Sequence, residues 1–220
     1  MHASNFLVAC LAPVLALGLP NNAADKKKLP PCDAQYRACR CPAGSTFKNL
    51  TSFGIIGAPA IEVQNIMGKF LDIRYQGGLI PASTTGTEGV VGATRTFNFS
   101  APAGGYYQIT EVVRKYYKTY PDGSFIANNE QDQRINPVVA IPGGGTYKGQ
   151  WSQIIGEQTL IANETAVAWR NWRCEIGETF PAAQSHENGI RNASAVIASA
   201  GKHTGVDVAP FTIFYTIRQD

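Results

Sequence analysis

Arg95 is a cationic residue on the apolar face of a predicted β-strand. Residues 90–99 alternate between apolar and polar side chains, as a half-buried strand does. Asn98 opens a glycosylation sequon, so a glycan there must face solvent. Because successive side chains point to opposite faces, Arg95 then points inward together with Phe97 and Phe99. A buried guanidinium needs a partner, or it must line a cavity that holds water or a ligand.

The next predicted strand offers an anionic partner. Glu111 shares one face of that strand with Tyr107, Ile109 and Val113. We therefore expect Arg95 and Glu111 to be polar groups inside an otherwise apolar pocket, where they could orient a carbonyl, carboxylate or hydroxyl group of a ligand. The alternative is that Arg95 extends to a strand end and meets Glu111 at the surface.

The same inward parity selects aromatic and apolar residues from several predicted strands. For each of these aromatic residues, ordinary core packing is the commoner explanation of an inward position. Val167 is a further cavity candidate by parity, and Phe180 and Ile197 could close the pocket from the helix side. The predicted ligand-binding residues are Arg95, Phe97, Phe99, Tyr107, Ile109, Glu111, Val113, Tyr147, Trp151 and Trp169.

The sequence assigns no catalytic residue. It contains neither a Gly-x-Ser-x-Gly nucleophile elbow nor a His-Glu-x-x-His zinc motif. His186, at the start of the last predicted helix, is expected to be exposed, and His203 lies past the end of that helix. Glu111 with Tyr107 or Arg95 could act as acid and base. We nevertheless expect binding rather than catalysis, with no metal and no cofactor.

Composition and charge exclude some classes of partner. The chain has 220 residues, is 44% apolar and carries a formal net charge of only +3, with no basic run beyond Lys26–Lys28. It therefore gives no electrostatic case for binding nucleic acid. The apolar segment Phe6–Leu19 is too short to span a bilayer and instead predicts a signal peptide. Cleavage could follow Gly18 or Ala24, and we assign residues 1–18 to the signal peptide. We expect a secreted, extracellular protein with no membrane span.

Four glycosylation sequons support this compartment. An Asn-x-Ser/Thr acceptor must be reachable at the surface, and several sequons behind a signal peptide are harder to explain by chance than one. The predicted glycosylation sites are Asn49, Asn98, Asn163 and Asn192.

The cysteine residues predict two disulfide bonds rather than a metal site. Cys10 leaves with the signal peptide, so the mature chain keeps Cys32, Cys39, Cys41 and Cys174. An even number in an oxidising compartment is typical of paired cysteines. Cys39 and Cys41 are too close in sequence to pair comfortably, so Cys174 should join one of them and Cys32 the other. A bond to Cys174 closes a long loop, worth about 4 kcal/mol.

The apolar periodicity orders the elements along the chain. A strand over residues 46–56 precedes a helix that begins at Pro59 and continues through Asp72, and residues 83–88 are expected to form a flexible loop. Strands separated by Gly- and Pro-containing turns predict an antiparallel sheet. The remaining predicted strands cover residues 90–99, 106–120, 124–131, 135–141, 147–155 and 165–176, followed by a helix over 181–200 and a last strand over 210–218.

Four segments resemble the START, polyketide-cyclase and birch-pollen-allergen superfamily, also called SRPBCC proteins. Ala58–Val63 is similar to the family's entry into its first helix, and Gly92–Phe97 is similar to its glycine-x-x-arginine strand. Ile109–Val113 is similar to the following strand, and Thr165–Trp169 is similar to the late strand before the C-terminal helix. The cysteine-containing lead-in, the sequons and the last strand depart from the usual family pattern.

The resemblance implies an α+β helix-grip fold. In this fold a curved antiparallel β-sheet wraps around a long C-terminal helix, here with a disulfide-bonded N-terminal extension. The space between sheet and helix would form an apolar cavity for a lipid, sterol, hormone or polyketide-like ligand. We accordingly divide the chain into a signal peptide (1–18), a linker and cysteine-containing lead-in (19–43), and a helix-grip-like ligand-binding domain (44–220).

We therefore expect a secreted eukaryotic glycoprotein, of fungal type, that binds a small hydrophobic ligand in an internal cavity. One alternative is an effector-type protein with a filled core, whose outer surface binds an extracellular protein partner. Another is a cyclase- or isomerase-like enzyme on the same scaffold. A hollow between sheet and helix would favour the ligand, whereas a packed interior with an exposed apolar patch would favour the protein partner.

Overall fold

The computed structural model describes residues 39–101, 104–114, 117–179 and 181–217. The predicted signal peptide lies outside the described residues. In chain order the elements are β1 (Thr46–Ile56), α1 (Ala60–Met67), β2 (Ser83–Thr85), β3 (Thr94–Ser100), β4 (Tyr106–Val112), β5 (Tyr117–Thr119), β6 (Phe125–Gln131), β7 (Val139–Ala140), β8 (Thr146–Gln158), β9 (Thr165–Ile176), α2 (Ala182–Ser199) and β10 (Val208–Ile217).

The described strands join one antiparallel sheet. The strand order is β10-β1-β9-β8-β6-β4-β3-β2, with β5 paired to β6 and β7 paired to β8. The long strands β1, β8 and β9 pair along most of their length. The sheet is open and curved and is followed by the C-terminal helix α2, which confirms the predicted α+β helix-grip fold.

Helix α2 covers the concave face of the sheet with one side. Its buried face includes His186, Ile190, Ala193 and Ile197, and the helix packs against β1, β10 and α1. Ile190, Ala193 and Ile197 join the main apolar core. Val196, next to Ile197 in the sequence, lies off this buried face and is 42% exposed.

The first helix is shorter than predicted. Helix α1 ends at Met67 rather than Asp72, because Gly68 follows and terminates it. Glycine is a poor helix residue, and a Cβ at Gly68 would lie 2.6 Å from the Gln64 carbonyl oxygen.

Two of the predicted loop and strand assignments also differ from the structure. Residues 83–88, predicted as a flexible loop, contain the short strand β2, which pairs with β3. The predicted strand over 106–120 is interrupted: β4 ends at Val112, and β5 pairs with β6 instead.

The last strand, β10, extends the sheet beyond the usual helix-grip order. It pairs antiparallel with β1 and forms one edge of the sheet.

Asp207, directly before β10, holds three other segments of the chain. Its carboxylate accepts hydrogen bonds from the Gly57 N–H at 2.7 Å and from the Ser194 hydroxyl at 2.6 Å. It also lies 2.8 Å from His203 Nε2. Burial raises the pKa of Asp207, but these hydrogen bonds hold it below its usual value. In a catalytic triad the histidine imidazole lies between the serine and the carboxylate. Here the Asp207 carboxylate lies between Ser194 and His203 instead. The cluster is therefore a structural clamp.

A disulfide bond ties the N-terminal lead-in to β9. Cys41 is bonded to Cys174, with their Cα atoms 5.4 Å apart across a sequence separation of 133. This confirms a bond from the lead-in to Cys174 and selects Cys41 for it. Cys39 is itself disulfide-bonded, and Cys32, the partner predicted for it, lies outside the described residues.

The disulfide belongs to an apolar cluster on the outer face of the sheet, opposite α2. Phe47 on β1 pairs across the strands with Cys174, and Trp151 pairs with Trp172. Cys39 and Cys41 of the lead-in are buried in the same cluster as these side chains. We call this group the outer cluster: Cys39, Cys41, Phe47, Trp151, Trp172 and Cys174.

The sequons differ in their accessibility. Asn98 and Asn163 are exposed, as predicted for glycan acceptors, whereas Asn49 and Asn192 are only half-exposed. Asn49 lies on β1 between β9 and β10, and its Oδ1 atom is buried. In the described part of the chain, neither helix has the length and apolar character needed to cross a membrane.

Candidate ligand-binding cavity

A cavity of about 100 Å³ lies between the concave face of the sheet and the start of α2. Strands β3, β4, β6, β8 and β9 contribute its walls, and α2 closes one side. Most of the predicted ligand-binding residues line it. They are Arg95, Phe97, Phe99, Tyr107, Ile109, Glu111, Tyr147 and Trp169.

Trp151 is not in the cavity, and this prediction was wrong. It packs in the outer cluster at 3% exposure. The reason is a β-bulge in β8: Tyr147 pairs with Glu175 but Gly149 pairs with Cys174, so Lys148 is an extra residue in the strand. A bulge reverses the parity of the residues that follow.

Val113 also lies outside the cavity. It follows the end of β4, donates its N–H to the Ala93 carbonyl at 2.9 Å, and packs in a separate small cluster with Phe70. Val167, a cavity candidate by parity, and Ile197, expected to close the pocket, are both buried in the main core. Phe180, also expected to close the pocket, lies outside the described residues.

Arg95 and Glu111 form a buried ion pair inside the cavity. The two residues are direct cross-strand partners on β3 and β4. Glu111 Oε2 accepts hydrogen bonds from Arg95 Nε at 2.7 Å and lies 2.6 Å from Arg95 Nη2. Asn129 Nδ2 donates to the same oxygen at 3.0 Å. Arg95 is 7% exposed and Glu111 is 9% exposed. The alternative, in which the two residues form an ion pair at the surface, is therefore wrong.

The Arg95 guanidinium is enclosed on its remaining sides. Arg95 Nη1 donates to the Phe70 carbonyl oxygen at 2.6 Å. Its Cζ atom lies 4.5 Å from the centroid of the Phe70 ring and 5.3 Å from that of Phe97, within the range of a cation–π contact. The ion pair therefore links β3, β4 and the segment after α1 around one wall of the cavity.

The rest of the cavity is more polar than predicted. Gln150, Ser152, Asn171, Arg173 and His186 all line it. Regular alternation from Tyr147 would place Gln150 and Ser152 on the outer face, so the bulge in β8 prevented their prediction from parity. Asn171 and Arg173 share the parity of Trp169 and could have been found from the sequence.

His186 is buried, and its predicted exposure was wrong. It lies four residues before Ile190, so it continues the inward face of α2. It is 5% exposed and stacks on Trp169, with ring centroids 4.1 Å apart and an interplanar angle of 9°. Burial, assisted by the positive charge of Arg173, lowers the pKa of His186 to about 3. The imidazole is therefore neutral at physiological pH.

This neutral imidazole is expected to make folding pH-dependent. In the unfolded chain the His186 imidazole has an ordinary pKa of ~6.5. In the folded protein the pKa of His186 is about 3, so the imidazole takes up a proton only in strong acid. Between these values the unfolded state binds more protons. The free energy of unfolding should therefore fall on acidification by up to about 1.4 kcal/mol per pH unit.

His186→Phe isolates this effect, because it retains a ring that can stack on Trp169. Urea unfolding measured from about pH 7 to about pH 4 should show a weaker pH dependence in the variant than in the natural protein. If the free energy of unfolding depends on pH equally in both proteins, His186 does not titrate in this way.

A curved antiparallel sheet closed by a C-terminal helix around an internal cavity defines a protein of the helix-grip class. A START-domain family model matches residues 47–220, and the chain belongs to this family. Proteins of this fold family bind hydrophobic ligands or act as cyclases. No curated protein matches the sequence.

Several solved structures are similar in fold. Protein XoxI from Bacillus cereus is 15% identical, with a TM-score of 0.46, covering 70% of this chain and 99% of its own. The Zhui aromatase/cyclase from Streptomyces sp. R1128 is 13% identical, with a TM-score of 0.39 and coverage of 70% and 87%. Ginseng major latex-like protein 151 from Panax ginseng is 16% identical, with a TM-score of 0.41 and coverage of 71% and 98%. All three TM-scores lie below 0.5, so membership of the family stands on the family model.

Proposed function

We propose that this protein binds a small hydrophobic ligand in the cavity between its sheet and α2. The observation that carries the proposal is the cavity of about 100 Å³, lined by Phe97, Phe99, Ile109 and Trp169 together with a few fixed polar groups. Such a mixture is typical of small-molecule sites, where apolar surface supplies affinity and polar groups supply orientation.

The size of the cavity narrows the class of ligand. An engineered protein cavity of about 150 Å³ binds benzene, so about 100 Å³ corresponds to a molecule near the size of a single ring. Among the predicted lipid, sterol and polyketide-like ligands, this volume favours small, ring-containing compounds. A whole sterol would require α2 to move away from the sheet.

Two titratable groups of the cavity, Tyr107 and His186, suit binding better than proton transfer at neutral pH. A general acid or base works best when its pKa lies near the working pH. Burial raises the pKa of Tyr107 to about 12, and burial with the charge of Arg173 lowers the pKa of His186 to about 3. Both groups therefore keep one protonation state at neutral pH and serve as hydrogen-bonding groups.

Filling the cavity should abolish binding. Ala182 lines the cavity and is 7% exposed, so Ala182→Phe places a ring in the ligand's space. Native mass spectrometry of protein purified from its source, with solvent extraction, should detect a small molecule that Ala182→Phe reduces at least about tenfold, or about 1.4 kcal/mol. Ala198→Phe, on the exposed side of the same helix, is the matched control and should retain the molecule.

The proposal would be wrong if the natural protein carries no small molecule and is indifferent to a broad panel of lipids, sterols and single-ring compounds. In that case an extracellular protein partner becomes the better interpretation. The panel can be screened by the shift in unfolding temperature that a bound ligand produces.

We further propose that residues 1–18 are a signal peptide, residues 19–43 a linker and lead-in, and residues 44–220 the ligand-binding domain of a secreted glycoprotein. The Cys41–Cys174 bond supports this, because disulfides persist in oxidising compartments. Mass spectrometry of protein from the culture medium, before and after enzymatic deglycosylation, tests the cleavage site and each sequon.

A further inference from the structure

Two buried polar atoms in the cavity wall have no hydrogen-bond partner among the described residues. They are Asn171 Oδ1 and His186 Nδ1. Asn171 is 2% exposed and His186 is 5% exposed, and both line the cavity. A buried polar atom left without a partner costs about 1 to 3 kcal/mol, so this arrangement indicates a site built for a polar group of a ligand.

Ser152 completes the site. It is the direct cross-strand partner of Asn171 and is 7% exposed. Its Oγ accepts a hydrogen bond from Trp169 Nε1 at 3.0 Å, so the serine O–H remains as a donor toward the cavity. His186 stacks on that same Trp169 ring. The three polar groups therefore converge around one tryptophan.

The chemistry of these groups selects the ligand group. Asn171 Oδ1 is an acceptor, a neutral imidazole nitrogen can accept or donate, and the serine can donate. A hydroxyl group both donates and accepts, so it can satisfy all three. A carboxylate carries no hydrogen for the Asn171 oxygen, and the charge of Arg173, which also lines the cavity, is already close to Glu175, with Nη1 3.5 Å from Oε2. An ammonium group carries no lone pair that could accept the serine hydrogen.

We propose that the cavity selects ligands in which a neutral hydroxyl group is attached to a small apolar ring, with the hydroxyl held by Asn171, His186 and Ser152. This inference rests on the proposed function and adds the chemical class of the ligand. The aromatic side chains at the β3 end of the cavity, Phe97 and Phe99, contact the apolar part.

Phenol and toluene form a matched pair of probes, since they differ only in a hydroxyl against a methyl group. Isothermal titration calorimetry on the natural protein should show phenol binding about tenfold more tightly than toluene, the effect of one to two net hydrogen bonds. Nitrogen-15 spectra of labelled histidine should show the His186 resonances moving with phenol and remaining in place with toluene.

The variant Asn171→Leu/His186→Phe should remove this preference while toluene still binds. Asn188→Leu, on the exposed face of α2, is the control and should keep the preference for phenol. The comparison of the two probes on the natural protein decides the question even if the double variant does not fold.

The outcomes separate the two proposals. Equal affinity for both probes, or a phenol preference that survives in the folded double variant, overturns the inference and leaves hydrophobic binding intact. Failure of both probes to bind, together with no effect of Ala182→Phe on any ligand of the panel, overturns the proposed function itself.

Discussion

Arg95→Leu is expected to lower the free energy of unfolding by about 3 to 5 kcal/mol, the usual effect of removing one partner from a buried ion pair. Glu111 is only 9% exposed in the natural protein, so the variant leaves a buried carboxylate without its cationic partner. Asn129 remains as a hydrogen-bond donor to it. It also removes the donor to the Phe70 carbonyl oxygen. Chemical denaturation with the slope of the transition monitored is the appropriate measurement.

The double variant Arg95→Leu/Glu111→Leu distinguishes the ion pair from its individual members. Replacing both charges by apolar groups of similar volume is often nearly neutral. The double variant should therefore be less destabilised than the sum of the two single variants, with a coupling energy of about 1 to 3 kcal/mol. Simple additivity would show that the two residues act independently.

A surface ion pair on α2 provides the matched control. Glu187 and Arg191 are four residues apart, with 3.3 Å between Oε2 and Nη2 and side-chain exposures of 24% and 50%. Solvent screens such a pair, so Arg191→Leu should cost no more than about 0.5 kcal/mol. A cost similar to that of Arg95→Leu would contradict the role assigned to burial.

Loss of the Cys41–Cys174 disulfide should have an effect of comparable size. The bond closes a loop with a sequence separation of 133, and the chain-entropy model gives about 4 kcal/mol for closure of so long a loop. Both sulfur atoms also lie in the outer cluster, so the freed lead-in would expose apolar surface.

The variant Cys41→Ala/Cys174→Ala tests this without leaving a thiol that could exchange with Cys39, which is itself disulfide-bonded. Its unfolding midpoint should fall markedly, and the addition of reductant should lower it less than it lowers the natural protein. If the double variant unfolds at the same denaturant concentration as the natural protein, the bond does not stabilise the fold.

Much of the architecture follows from periodicity alone. The strands β1 and β9 were predicted with the bounds that the structure shows. The inward parity of Arg95 and Glu111 placed them on one face, because neither β3 nor β4 is interrupted between the cavity residues. A regular strand preserves its parity, so such predictions hold along its whole length.

The wrongly assigned and missed residues have two different causes. Trp151 was assigned to the wrong face because a bulge is invisible in apolar periodicity, and Gln150 and Ser152 were missed for the same reason. His186 was expected to be exposed because it lies at the start of the last helix, whereas tertiary packing against Trp169 decides its burial. The volume of the cavity depends on how closely α2 approaches the sheet, which no local pattern encodes.

The extra residue in β8 decides which side chains of that strand face the cavity. Counted along the sequence, Tyr147 and Trp151 share one parity, yet Tyr147 pairs with Glu175 and Trp151 pairs with Trp172, on opposite faces of the sheet. Deleting Lys148 would therefore leave Trp151 in the outer cluster, because Tyr147 and Gly149 already oppose the consecutive residues Glu175 and Cys174 and would then alternate regularly. One inserted residue thus allows a single strand to place one aromatic ring inside the fold and another of the same parity on the opposite face.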